Sequence, residues 1–142
     1  MKVAATGHRP PQQFLKAKRG LNAFLKLSHA NISEGISGMA DGWDTIFALA
    51  CLHYEIPLHC YVPYRNQKPT SEHYEDILGK AAKVTYCADA YHKRVFLDRD
   101  DAMVKDADVF AAFLSPDSKK GGTFYTVNHA LDLKKPVINF WS

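Results

Sequence analysis

Short apolar, β-rich runs alternate with helical patterns along the whole chain. KVAAT (2–6), NISEGI (31–36), PLHCYV (57–62), KVTYC (83–87), DVFAAFL (108–114) and PVINFW (136–141) have the composition and length of strands. Between them, apolar positions recur at helical spacing. Phe14, Ala17, Leu21 and Phe24/Leu25 share one face within 11–28, and Ile46, Phe47, Ala50 and Tyr54 do so after the second strand. Tyr74, Ile77, Leu78 and Ala81 predict a third helix, with Ser71 as its candidate cap. Two more helices are predicted over 93–106 and about 123–134. Strand–helix alternation from end to end predicts an α/β fold: a single Rossmann-like domain over 1–142, with a mostly parallel sheet and helices on both faces. Crossovers in such sheets are right-handed, and ligands bind beyond the carboxyl ends of the strands, where strand order reverses.

The segments that follow strands are therefore the ones to search. TGHRPP (6–11), SGMADGWD (37–44) and SPDSKKGGTFYT (115–126) each join a strand end to a helix start, and each contains glycine. Gly7, Gly38, Gly42, Gly121 and Gly122 permit positive φ and close approach of another group. A helix start adds free N–H groups and the positive end of a dipole, which attract phosphate or carboxylate. The Thr123 hydroxyl offers a further donor there. Glycine also serves simply as a turn residue, but three such loops at one sheet edge point to a ligand cleft. Neither G-x-G-x-x-G nor G-x-x-x-x-G-K-[ST] occurs, which disfavours NAD enzymes of the common type and P-loop NTPases.

The exit from the first strand is unusual in carrying an imidazole and a guanidinium. Arg9 is a planar, permanently charged fork that suits phosphate or stacking on a base, or that caps a carboxylate across the loop. His8 supplies a hydrogen bond with optional charge near neutrality, or is simply solvated. Pro10 and Pro11 restrict the backbone ahead of the first helix.

Composition narrows the function classes. An apolar content of 46% with 23% charged residues is that of an ordinary globular domain. A net charge of +3 is too mild to argue for nucleic acid, yet leaves room for a local anion site. No apolar stretch approaches the ~20 residues of a membrane span, and the first residues lack the apolar run of a signal peptide. A cytoplasmic protein without a membrane partner is expected. Cys51, Cys60 and Cys87 form no CxxC and leave one over, which reads as reduced thiols. His53, His59 and Cys60 match no common zinc spacing, so a packed core is preferred and neither metal nor cofactor is predicted. LDRDDAMVKDAD (97–108) reads as a solvated helix face, with Asp106 or Asp108 capping the turn into the fifth strand. PYRNQKPTSEHY (63–74) is long for a βα loop and, with Arg65 and Lys68, is a lid candidate. Lys119 and Lys120 either attract phosphate or serve solubility. Tyr64, Tyr125 and Trp43 either stack on a base or pack internally.

TGHRP, SGMADGWD, VPY, DADVFAAF and GGTFYTVNHALDLKKPVINFW, in that order, resemble the SLOG superfamily of Rossmann-like nucleotide-binding proteins. The match is to its bacterial and phage branch that opens with TGHRP. The superfamily includes LOG phosphoribohydrolases, the single-strand-binding DNA-processing protein A and sensor domains for ADP-ribose-derived signals. The resemblance implies a sensor or sequestering module that holds a nucleotide or nucleotide-sugar, ADP-ribose-like or a mononucleotide, at the strand ends. It implies Gly7, His8 and Arg9 as one wall, and Gly38, Met39, Ala40 and Gly42 as the floor. Gly121, Gly122 and Thr123 would be the phosphate cradle, and Asp44 the acidic residue just inside the second helix. A homo-oligomer is also implied.

One departure bears on activity. LOG enzymes carry PGGxGTxxE, whose glutamate serves cleavage of the N-glycosidic bond; that position is Thr126 here, and SPDSKKGGT replaces the proline–glycine pattern. An oxocarbenium-like transition state wants a nearby carboxylate, which threonine cannot supply. Binding without turnover is therefore expected. The alternative is an N-glycosidic hydrolase or transferase in which Asp44 or Asp117 is the replacement catalytic carboxylate. Single-stranded DNA binding is the third reading, disfavoured by the mild charge and by the lack of a basic, aromatic-interleaved stripe.

Overall fold

The computed structural model describes residues 1–8 and 14–141. Arg9, Pro10 and Pro11, with their predicted roles, lie outside the described residues. The chain runs β1 (Lys2–Gly7), α1 (Phe14–Ser28), a 3₁₀ turn (His29–Asn31), β2 (Glu34–Ser37), α2 (Trp43–His53), β3 (Leu58–Val62) and α3 (Tyr74–Lys80). It continues through β4 (Lys83–Tyr86), α4 (Val95–Asp106), β5 (Val109–Phe113), α5 (Gly122–Asp132) and β6 (Val137–Asn139). All the strands pair in parallel, in the order β4-β3-β2-β1-β5-β6. Strand order reverses between β1 and β5. The sheet is thus wholly parallel, as the alternation of strand and helix patterns predicts.

Side-chain alternation along the strands divides the core in two. Val3 and Ala5 of β1, Leu58 and Cys60 of β3, and Ala111 and Phe113 of β5 face one layer, filled by α1, α2 and α3. Ala4, Tyr61 and Phe110, at the alternate positions of the same strands, face the other, filled by α4 and α5. In α1 the helical spacing places Ala17, Leu21 and Leu25 in the first layer. Cys60 lies in that apolar core.

Ser71 does not cap α3. The helix starts later, at Tyr74, with no side-chain cap; the Ser71 carbonyl accepts the Tyr74 N–H at 3.2 Å, and its hydroxyl is buried without a partner. Asp108 does tie the turn into β5, since its Oδ2 accepts the backbone N–H of Lys2 at 2.8 Å. Asp106, at the end of α4, accepts from Lys2 Nζ at 2.9 Å and from the Tyr61 hydroxyl at 2.7 Å. His59 Nδ1 lies 3.1 Å from Glu34 Oε1, and Nε2 lies 2.7 Å from Thr85 Oγ1. His59 is therefore a polar core residue with both ring nitrogens partnered. This network closes the amino-terminal end of the sheet, opposite to where ligands bind in such folds. Among the described residues, no helix is long and apolar enough to cross a membrane.

Candidate functional site

The loop after β2 folds back on itself through its own side chains. Ser37 Oγ donates to the Asp44 carbonyl at 3.0 Å and accepts the Met39 N–H at 3.2 Å. Thr45 Oγ1 donates to the Ala40 carbonyl at 3.1 Å, and the Ala40 N–H donates to Asp44 Oδ2 at 3.3 Å. Met39 and Gly42 turn the chain with φ of 61° and 90°. The result holds the Asp44 carboxyl inward rather than in solvent.

Gly38 makes room for the residue that defines the site. A side chain there would meet Met103 Sδ at 3.0 Å, and Arg99 Nε and Asp44 Oδ2 at 3.1 Å each. Without one, Arg99 reaches in from α4 and its Nη1 donates to the Gly38 carbonyl at 2.8 Å. Its Nε donates to Asp100 Oδ1 at 3.0 Å. Arg99 and Asp100 are each only 8% exposed. The solvated-face reading of LDRDDAMVKDAD is therefore corrected at these two residues. A helix touching a sheet edge can bury a charged pair when loop carbonyls and carboxylates meet it there.

These groups surround a cavity of about 200 Å³. Thr6 and Gly7 at the end of β1 form one side, Ala40, Asp41 and Asp44 the next, and Gly122, Thr123 and Thr126 of α5 the third. It sits at the reversal point of the sheet, where such folds hold ligands. Burial pushes the Asp44 carboxyl up to about 7; Arg99 opposes that rise and Asp100 adds to it. Burial likewise raises Asp100, against the pull of Arg99. Two carboxyls thus share one guanidinium, and the floor of the cavity is better at accepting hydrogen bonds from hydroxyls than at holding phosphate. The start of α5 is the opposite. Its N-cap is Gly121 (φ 98°), no side chain caps it and no acidic residue lies in its first turn, which leaves a helix start suited to an anion. The Thr126 hydroxyl is buried with no partner of good geometry, close to Asp100.

The predicted site residues separate into those that line the cavity and those that shape it. Gly7, Ala40, Asp44, Gly122 and Thr123 line it. Gly38, Gly42 and Gly121 shape the backbone around it, and the Met39 side chain turns away into the core at 1% exposure. His8 continues the strand pairing through its N–H to the Phe113 carbonyl (3.1 Å), and its ring lies edge-on to Trp141 with centroids 6.3 Å apart. Burial holds its imidazole below the ordinary pKa. Asp117 is exposed and does not line the cavity. Trp43 is core: its indole N–H donates to the Ala111 carbonyl at 3.0 Å, and it stacks on Phe113 at 5.3 Å. Tyr125 donates its hydroxyl to Asp101 at 2.8 Å, away from the cavity. Ala5, Thr6, Asp41, Arg99, Asp100 and Met103 are lining residues that the sequence did not single out, and Thr126, at the position of the LOG glutamate, lines it as well. The glycine at 38, open to a long side chain from another element, is the one sequence signal that bears on Arg99.

Solved structures share this fold. DNA processing protein A from Helicobacter pylori, reported for its single-stranded DNA binding mode, superposes with a TM-score of 0.74 over 96% of this chain and 63% of its own, at 21% identity. The same protein from Streptococcus pneumoniae gives 0.75 over 96% and 48%, at 14% identity. A molybdenum cofactor binding protein from Rippkaea orientalis gives 0.64 over 97% and 74%, at 17% identity. The chain thus spans 48–63% of the two DNA-processing structures. No family model matches the sequence, and no curated protein matches it. The chain shares its fold with these structures, an α/β fold of the kind that the motif resemblance implies.

Proposed function

We propose that the protein, as a single domain over 1–142, binds a nucleotide or nucleotide-sugar, ADP-ribose-like or a mononucleotide, in the cleft at the ends of β1 and β2. In this reading it is a cytoplasmic sensor or sequestering module. The observation that carries the reading is the buried Asp44–Arg99–Asp100 set beside the uncapped start of α5. Carboxylates that accept from ribose hydroxyls, next to backbone N–H groups that receive phosphate, match the two polar halves of a nucleotide. Thermal shift with AMP, ADP-ribose, NAD and cyclic ADP-ribose tests it, because a ligand of the native state alone stabilises it by mass action. A rise with at least one of them is expected. No shift at millimolar concentration across the panel overturns the reading.

A second reading is N-glycosidic hydrolysis. Thr126 lacks the LOG carboxylate, but Asp100 brings one from α4 to the same wall of the cavity. Chromatography of released base and ribose 5-phosphate separates the two readings. The binding module releases neither; steady release that Asp100→Asn abolishes while ligand still binds would establish the enzyme. Single-stranded DNA remains the third reading, supported by the shared fold and opposed by the acidic cavity floor. Anisotropy of a labelled oligonucleotide distinguishes it. A homo-oligomer is proposed as well: Leu131 and Leu133 at the end of α5 and Ile138 on the edge strand β6 are each exposed, and light scattering reads it directly.

A further inference from the structure

A second hollow, of about 440 Å³, adjoins the cavity on the far side of Arg99 and shares Ala40, Asp41 and Arg99 with it. Gln67, Thr70 and Phe96 complete its lining. Phe96 belongs to neither hydrophobic core and is 43% exposed, although its helix neighbours Val95, Arg99 and Met103 are buried. Leaving a phenyl ring open forfeits part of the stabilisation that burying it would contribute. The Arg99 guanidinium lies 5.8 Å from the ring centroid, so the ring stands at a fixed distance from the cation of the cavity.

The hollow also has a polar edge that is partly spoken for. The Tyr74 hydroxyl donates to Gln67 Oε1 at 3.4 Å, which among the described residues leaves the amide nitrogen as a free donor. Thr70 spends its proton on the Met39 carbonyl at 2.6 Å and keeps its acceptor lone pairs. Asp41 accepts the Gly42 N–H through Oδ1 at 2.9 Å and keeps Oδ2. A flat apolar surface bordered by one donor and two acceptors, one Arg99 away from an acceptor-rich cavity, fits a planar nitrogen heterocycle joined to a sugar.

We infer that this hollow is the base subsite: the heterocycle of the ligand stacks on Phe96 with its polar edge toward Gln67 and Thr70, while the ribose occupies the Asp44–Asp100 cavity. The inference rests on the nucleotide reading above and adds to it where the base sits and what selects it. None of Trp43, Tyr64 and Tyr125, the aromatic residues the sequence offered, lines this hollow.

Isothermal titration of AMP and of ribose 5-phosphate tests the assignment on the parent, Phe96→Ala and Phe96→Tyr. Phe96 is outside the cores, so these variants keep the fold. The parent is expected to bind AMP more tightly than ribose 5-phosphate by on the order of ten-fold or more, the scale of base–aromatic stacking. Phe96→Ala should lose that preference and leave ribose 5-phosphate unchanged, and Phe96→Tyr should retain it. If the parent binds both equally, or Phe96→Ala keeps the full preference, the subsite is overturned while the nucleotide reading stands. If neither ligand binds the parent, the nucleotide reading fails and this inference with it.

Discussion

Arg99 Nε donates to the carboxylate of the residue that follows it, Asp100, at 3.0 Å, and both side chains are buried against one cavity. Neighbours on an α-helix do not normally face each other. The pair meets because the long arginine is drawn toward the β2 loop, where Gly38 leaves it space and a carbonyl to bind. One guanidinium then serves Gly38, Asp100 and the charge of Asp44, and several expected outcomes follow from that shared dependence.

Arg99→Ala should destabilise the protein by about 3–5 kcal/mol, the cost of breaking a buried ion pair and leaving its partner unpaired. Urea denaturation measures it. Asp100→Asn added to Arg99→Ala should recover part of the loss, because the orphaned charge is then gone. If the double variant is no better than the single, the charge argument is wrong and the loss is one of packing.

The raised carboxyl of Asp44 gives stability a particular pH dependence. Its folded pKa is about 7 against an ordinary 3.8, and Asp100 shifts in the same direction. The folded state therefore keeps protons that the unfolded chain releases. The contribution is full below the ordinary carboxylate pKa and is lost as pH rises through the folded value. Asp44→Asn cannot release a proton, so its advantage over the parent should grow between about pH 4 and pH 8. Parallel curves for the two proteins would place the Asp44 carboxyl outside this account.

Gly7 lacks a side chain for a packing reason. A Cβ there would lie 2.5 Å from the Cβ, Cγ and Cδ1 atoms of Trp43. Gly7→Ala should cost about 1–3 kcal/mol by overpacking. The check is a lowered melting temperature together with a change in near-ultraviolet circular dichroism, since the indole has to move. An unchanged aromatic signal would mean that the strand gives way instead.

At the other end of the sheet, His59→Phe should keep the ring stacked on Tyr61, now 4.2 Å away, while removing the contacts to Glu34 and Thr85. A loss of about 1.5–3 kcal/mol is expected, the scale for hydrogen bonds to charged groups. The proposed nucleotide binding should be unaffected, since the network and the cleft lie at opposite ends of the strands. A matched loss of binding would show the two ends to be coupled.

The order and type of the strands and long helices were legible because each is marked by a short apolar run or a helical pattern. β1 alternates between two core layers, and α1 repeats Ala17, Leu21 and Leu25 on one face. The location of the cleft was legible for a topological reason, since glycine-bearing loops follow β1, β2 and β5. What was not legible depends on contacts between distant segments. Arg99 and Asp100 sit in a run of mixed charge that on a free helix would be solvated, and only the approach of the β2 loop buries them. Met39 looks like a floor residue in SGMADGWD, yet its positive φ turns its side chain into the core. Ser71 has the chemistry of a cap, but α3 begins at Tyr74, where its apolar face begins, and the cap position falls on His73.

Trp43 and Trp141, the two tryptophans of the chain, both pack on Phe113, with ring centroids at 5.3 and 4.8 Å, and Trp141 also meets the His8 ring. One indole is sealed in the core with its N–H bound; the other is only half-buried and touches the residue that leaves β1. The protein therefore carries two optical signals of different kind: the emission of Trp43 tracks unfolding, and that of Trp141 tracks the surroundings of His8 at the exit of β1. A titration that shifts the second without the first would register movement beside the cleft in the native protein, with no label attached.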